Sequence, residues 1–209
     1  MNIAKLTEKY IIDHPHIRST IKKGLINYSG LTRLIAKENN INIKDHFDAI
    51  LIACRRYKEK IKKDNNQEEI LDLLKKSKIE VKNKIAVIVL ENSIPRQNLE
   101  KIEKDVRSEN ITFRLIESAT VITVITGEDY IEKIEKTAKN NIIKITPGLV
   151  EVTLKTSKDI ENIPGVMAFL YSLFAEYDIN IIETMSCWTD TIFALQEKDL
   201  AKAMQVMRF

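Results

Sequence analysis

The residues best suited to ligand chemistry stand at Ile163-Pro164-Gly165-Val166, between a β-branched run and an apolar helical pattern. A glycine at a helix start lets backbone approach a ligand closely. The free N–H groups there favour a carboxylate, and Pro164 fixes the entry to the helix. A second concentration is cationic. Arg55, Arg56, Lys58, Lys60, Lys62 and Lys63 follow one another along one helical pattern, and Arg18, Lys22, Lys23, Arg33 and Lys37 precede them. Such residues contact phosphates or form a solvated face.

Catalytic and metal chemistry find little support. His14 and His16 flank Pro15 with no acidic or thiol partner at ligand spacing, which fits a helix start better than a metal site. Cys54 and Cys187 are far apart, make neither a metal pair nor a disulfide framework, and suit a reducing interior. A Cys187 nucleophile needs a nearby histidine, and all three histidines lie in the front of the chain. Asp190 and Asp199 read as turn and cap residues. Trp188, beside Cys187 at a hairpin tip, reads as a packing or interface residue. The 5 glycines support no phosphate-cradling motif. The expectation is a protein without catalytic residues, metal or cofactor.

The 209 residues are 44% hydrophobic and 30% charged, enough to bury a core and too apolar for disorder. The net charge of +3 is unevenly spread: residues 1–82 hold 18 Lys and Arg against 11 Asp and Glu, leaving 15 against 19 in residues 83–209. No signal peptide is visible, and no apolar run approaches the roughly 20 residues that span a bilayer. A cytoplasmic protein is expected.

These residues need elements to hold them. In the front, Ile3, Leu6, Tyr10 and Ile11 recur at helical spacing. Asp13-His14-Pro15 breaks that helix and starts a second, with Asp13 near the cap, and Gly24 ends it. Ser29 is expected to cap a third helix with Leu31, Leu34 and Ile35 on one face. After a turn at residues 39–42, a fourth presents Phe47, Ile50, Leu51, Cys54, Tyr57 and Ile61. Asp64-Asn65-Asn66 interrupts it, and residues 68–78 form one more helix carrying Ile70, Leu73 and Leu74. The rear changes period. Strands at 84–90, 111–116, 120–126 and 142–145 alternate with helices at 98–107 and 128–139, a β-α-β-β-α-β unit. The order repeats with strands at 150–156, 179–185 and 191–195 and helices at 164–177 and 198–207. It closes at Phe209 without a last strand, which leaves a sheet edge bare. The two units are therefore expected to share a sheet, or a second chain to cover the edge in a homodimer.

The second repeat resembles an ACT domain, the small regulatory module of amino-acid metabolism, of the kind at the C-terminal end of aspartate kinases. The resemblance rests on Pro164-Gly165-Val166, on Ile179-Asn180-Ile181 opening the second strand, and on Lys198-Asp199-Leu200-Ala201-Lys202-Ala203, and covers residues 149–207. It implies an amino acid bound at Asp159, Ile160, Ile163, Gly165 and Val166, facing Asn180 and its neighbours on an adjoining unit. Asp159 would receive the ligand's ammonium group. The first repeat matches less closely: its loop, Asn92-Ser93-Ile94-Pro95-Arg96, has no glycine and reads as a structural partner. The front resembles a helix-turn-helix, with residues 29–38 supporting and 45–62 as recognition helix. The residues placed to meet bases, His46, Asp48 and Ala49, include an acid. Arg18, Lys22, Lys23, Arg33, Arg55, Arg56 and Lys58 would contact DNA.

The expected fold is α+β: a helical winged-helix-like domain at 1–82 and two ferredoxin-like βαββαβ (ACT) units at 83–147 and 148–209. The expected function is an amino-acid sensor whose effector, bound at an ACT interface, alters double-stranded DNA binding. The alternative is an allosteric subunit docked on an amino-acid biosynthetic enzyme, of the aspartate-kinase or homoserine pathway, that never meets DNA.

Overall fold

In the computed structural model, which describes residues 2–61, 66–109 and 111–209, asparagine side chains set most helix starts at the front of the chain. The chain divides into two units, Met1–Asn65 and Asn66–Phe209. In the first, Asn2 caps α1 (Ile3–Asp13), Asn27 caps α3 (Tyr28–Glu38) and Asn42 caps α4 (Ile43–Lys60), each carboxamide oxygen accepting a backbone N–H of the first turn. Ser29 is therefore not the cap of α3; it lies inside the helix, and the Asn27 oxygen reaches the Gly30 amide at 3.0 Å. α2 (Pro15–Lys22) starts with Pro15 at its first position after His14, which takes the cap position expected for Asp13.

The apolar faces of α1 to α4 close on Ile11, Ile21, Leu31, Ile35, Ile50 and Cys54. Leu34 is 41% exposed, because the buried stripe of α3 runs through Leu31, Thr32, Ile35 and Ala36. Burial pushes the Cys54 thiol up to about 11, so it packs as a small apolar group. Among its described residues this unit holds helices and no strand, so the wing of a winged helix is not present there. Lys62 and Lys63 of the cationic run, with Asp64 and Asn65 of the expected turn, lie outside the described residues.

The second unit begins with α5 (Asn66–Lys75) and continues through β1 (Lys78–Glu91), α6 (Arg96–Ser108), β2 (Phe113–Glu117), β3 (Val121–Gly127), α7 (Ile131–Ala138), β4 (Ile142–Lys155), α8 (Val166–Glu176), β5 (Ile181–Cys187), β6 (Asp190–Gln196) and α9 (Leu200–Val206). The strands form one antiparallel sheet in the order β2-β3-β1-β4-β6-β5. β1 and β4 are each 14 residues long and pair along their lengths, from Lys78 opposite Lys155 to Leu90 opposite Ile142.

That pairing answers the bare edge. Residues 85–91 of β1 serve the first βαββαβ half, while residues 78–82 lie beside β4 as the fourth strand of the second half. Both halves thus share one sheet through the same two strands. The expected start of the first unit at 83 falls inside β1, and the expected boundary at 147/148 falls inside β4. α5 belongs with the sheet rather than with the front helices: Ile70, Leu73 and Leu74 pack into the second half's core with Val152, Leu170 and Phe193. The first half closes its own core on Ile88, Leu99, Ile102, Val124 and Ile134. On the sheet's other face Ile85, Val87, Ile125, Leu149 and Ala194 form a smaller cluster.

Candidate functional site: a ligand cavity and a cationic helical face

The two halves differ most where strand passes into helix. In the first half only four residues, 92–95, separate β1 from α6. Asn92 donates to the carbonyl oxygens of Ser118 (3.0 Å) and Ala119 (3.3 Å) in the β2–β3 turn, and Arg96 pairs with Glu117 at 3.3 Å. The loop is tied to the neighbouring hairpin tip, and its own Ile94 is buried. In the second half ten residues, 156–165, separate β4 from α8. The loop starts the same way, the Thr156 amide and hydroxyl both donating to the Thr189 carbonyl at 2.9 and 3.0 Å. It then runs on through a short 3-10 turn, Lys158–Glu161, capped by Ser157.

The extra length opens a cavity of about 480 Å³ between this loop, the start of α8 and the β5–β6 hairpin. Ile160, Ile163, Gly165 and Val166, all expected at the site, line it. Glu161, Met167, Ala168, Ser186 and Trp188 line it as well and were not singled out as ligand contacts by the sequence. Gly165 takes φ +93° at the N-cap, where a side chain is strained, and α8 has no side-chain cap. The first amides of a helix have no intrahelical acceptor, so those of Val166, Met167 and Ala168 are placed to meet an anion.

Two expected residues fall elsewhere. The Asp159 carboxylate accepts from the Ser157 hydroxyl at 2.8 Å and does not line the cavity; the 3-10 turn brings Glu161 to the wall instead. Asn180 is exposed just before β5, also off this cavity. The hairpin tip expected at Cys187 and Trp188 is formed between β5 and β6. Trp188 and Thr189 form its two-residue turn, with Cys187 opposite Asp190. Trp188 holds φ +51° and is 66% exposed.

A second feature unmarked in the sequence is ionic. Arg114 on β2 makes a two-pronged contact with Glu151 on β4, Nε to Oε2 at 2.7 Å and Nη2 to Oε1 at 2.9 Å. Glu151 has no exposed side-chain surface, and Lys82 on β1 approaches it at 3.6 Å. The hydrogen bond to Glu151 holds the Arg114 guanidinium above its ordinary pKa, against the opposing effect of burial. This cluster joins the edge strand of one half to the central strand shared with the other.

The cationic residues of the first unit separate into groups. Arg18 and Lys22 of α2 and Lys60 of α4 line a cavity of about 690 Å³ floored by Ile12, Tyr57 and Ile61. Lys60 also lies 3.4 Å from Glu8. Lys23 is exposed one residue on. Arg55, Arg56 and Lys58 are exposed on the C-terminal half of α4, while Arg33 lies over the Phe47 ring at 5.8 Å on α3. Towards the α4 N-terminus Asp45 and Asp48 are exposed, His46 is half-buried and Ala49 is exposed.

Among the described residues no helix is long and apolar enough to cross a membrane. No protein-family model and no curated protein sequence matches the chain. The second unit has an ACT-like fold, two βαββαβ halves in one antiparallel sheet. Among solved structures the chain is similar to Clostridium acetobutylicum aspartate kinase (TM-score 0.52, 16% identity), over 62% of this chain and 33% of that enzyme. It is similar to the regulatory subunit of aspartate kinase from Thermus flavus (TM-score 0.50, 13% identity), over 62% of this chain and 94% of that one. The Synechocystis aspartate kinase matches with TM-score 0.50 and 15% identity, over 62% of this chain and 26% of that enzyme. The chain therefore spans about a third or less of the two full kinases.

Proposed function

We propose that this chain is a non-enzymatic amino-acid sensor. An amino acid binds in the cavity between residues 156–165, α8 and the β5–β6 hairpin, and its binding alters what the helical unit contacts. The observation that carries this reading is the contrast between the two loops. The four-residue loop is tied down, and the ten-residue loop opens a cavity onto a helix start capped only by glycine. The ligand carboxylate meets the amides of Val166, Met167 and Ala168, and Glu161 takes the ammonium in place of Asp159. Asn180 serves from the corresponding unit of a second copy, in a homodimer built through the ACT-like units, whose edge strands β2 and β5 each pair on one side only among the described residues.

The helical unit is proposed to bind double-stranded DNA through Arg18, Lys22, Lys23, Arg55, Arg56 and Lys58, with Arg33 as a further phosphate contact. Residues 1–65 carry 14 Lys and Arg against 7 Asp and Glu, which supports an anionic partner. A second reading, docking on a biosynthetic enzyme, is favoured by the exposed Asp45 and Asp48 on α4 and by Ile52, 46% exposed between them and Arg55. A thermal-shift screen of the amino acids tests the sensor reading, since a ligand at 100 times its Kd stabilises by about 2.7 kcal/mol. No shift with any amino acid rejects it. A gel shift on random duplex at stepped salt separates DNA from enzyme docking.

A further inference from the structure

The side-chain half of the cavity narrows the ligand class. With the carboxylate assigned to the α8 amides and the ammonium to Glu161, the walls left for the amino acid's side chain are Ile160, Ile163, Met167 and Trp188, with the Ser186 hydroxyl as a further polar group. Among the described residues no cation lines the cavity, and Glu161 is its one carboxylate. A bound lysine would bring a second ammonium with no second carboxylate. A bound aspartate would set its side-chain carboxylate near Glu161 with no cation to offset it.

Trp188 adds an independent observation. The first residue of a two-residue hairpin turn takes positive φ, a position that glycine or asparagine fills without strain and a bulky side chain does not. Trp188 occupies it at φ +51° with 66% of its surface exposed. Strained, exposed aromatic residues cost stability, and such outliers concentrate at ligand clamps. Its place at the cavity rim gives the indole a surface to cover.

We infer that the cavity selects an amino acid with an apolar side chain, which packs between Ile160, Ile163 and Met167 on one side and the Trp188 indole on the other. The inference rests on the sensor reading above.

Trp188 is the chain's only tryptophan, so its fluorescence in the full-length protein reports on this site alone. Leucine, phenylalanine, alanine, lysine and aspartate are titrated, with calorimetry in parallel. Leucine or phenylalanine is expected to change the emission saturably and to bind about ten-fold or more tighter than alanine, lysine and aspartate, the scale of burying one aliphatic side chain. If lysine or aspartate binds as tightly with the same emission change, the apolar selectivity is overturned and the sensor reading stands. If none of the five binds by either method, both fall. The variant Trp188→Gly separates wall from fold. It is expected to melt at the same or a higher temperature, because the turn loses its strain, while calorimetric affinity for the apolar ligand drops about ten-fold or more. Unchanged affinity in a folded Trp188→Gly protein overturns the role of the indole.

Discussion

At the scale of single residues, backbone conformation and buried charge decide the outcomes. Gly165 is held at φ +93° against the candidate cavity, a conformation that β-branched residues resist strongly. Gly165→Val is expected to abolish amino-acid binding in calorimetry while the far-ultraviolet circular dichroism stays that of the parent, because the strain is confined to a surface loop. Arg114 carries a different weight. Its removal leaves the wholly buried Glu151 with Lys82 at 3.6 Å and a 3.4 Å hydrogen bond from Thr153. Arg114→Ala is therefore expected to lose about 3 kcal/mol in urea unfolding, near the lower end for breaking a buried pair, since Lys82 offsets part of the loss. The double variant Arg114→Met, Glu151→Met should recover much of that loss, and a double variant no better than Arg114→Ala would refute a desolvation origin. Of these residues only Gly165 was legible in the sequence, through the Pro-Gly-Val start of an apolar helix. Arg114 and Glu151 are 37 positions apart, and nothing in either local pattern marks a partner across three strands. Asp159 and Glu161 were indistinguishable for a related reason: which acid faces a cavity depends on a single 3-10 turn too short to leave a periodicity.

Elements were read well where one face was apolar and poorly where the chain served two purposes. Helices α3, α4, α6 and α8 lie within a few residues of their sequence-based ranges, because three- and four-residue spacing of apolar side chains survives any tertiary arrangement. β1 and β4 did not. Residues 78–83 are polar and exposed on most positions, so the strand was expected only from 84, where the β-branched run KIAVIVL begins. The polar stretch is a strand because β4 offers it an edge, and Lys155 anchors it by a 2.7 Å contact with Glu80. The lysine holds the Glu80 carboxyl below its ordinary range. A depressed folded pKa gives a contribution present above the unfolded carboxylate pKa and lost as pH falls through the folded value. Stability should thus decline on acidification below the ordinary carboxylate range, and Glu80→Gln should flatten that limb slightly, the pair being solvent-exposed. The location of α5 has a larger consequence. Leu74, 1% exposed, sits in the core of the second half, so a fragment of residues 66–209 is expected to fold cooperatively, whereas one of 83–209, lacking both α5 and the fourth strand, is not. Leu74→Ala in the full chain should lose about 2–5 kcal/mol. Cooperative unfolding of 83–209 with parental stability would show that residues 66–82 are not structural to the sheet.

At the scale of the whole molecule the question is what the ACT-like unit is connected to. The ACT-like unit has its second half's edge covered by its own β1, so the homodimer no longer follows from a missing strand. The proposed homodimer rests instead on the edge strands β2 and β5, each paired on one side only among the described residues, and on the placing of Asn180 away from the cavity of its own chain. The helical unit carries the proposed output. Arg55, Arg56 and Lys58 are exposed together on α4, whose N-terminal turns present Asp45 and Asp48 instead. The proposed phosphate contacts would thus fall on the C-terminal half of α4, away from the acids, which a duplex backbone would repel. If that arrangement meets DNA, the triple variant Arg55→Ala, Arg56→Ala, Lys58→Ala should weaken binding to every duplex sequence alike, because phosphate contacts carry no base information. The slope of log affinity against log salt should also fall by about 0.9 for every phosphate that is no longer neutralised. All three side chains lie on the surface, so the parent's melting temperature should be retained within a degree or two, which separates a binding defect from a folding defect. Gel shifts between low and physiological salt, run with and without the amino acid found by the thermal screen, provide the measurement. A parent protein that binds random duplex with a steep salt slope, and a variant with a slope reduced by two to three units, would establish that the helical unit meets DNA. A parent that shows no salt-dependent binding even at low ionic strength would reject it, and would move the output of the helical unit to a protein surface complementary to Ile52 and the mixed charges around it.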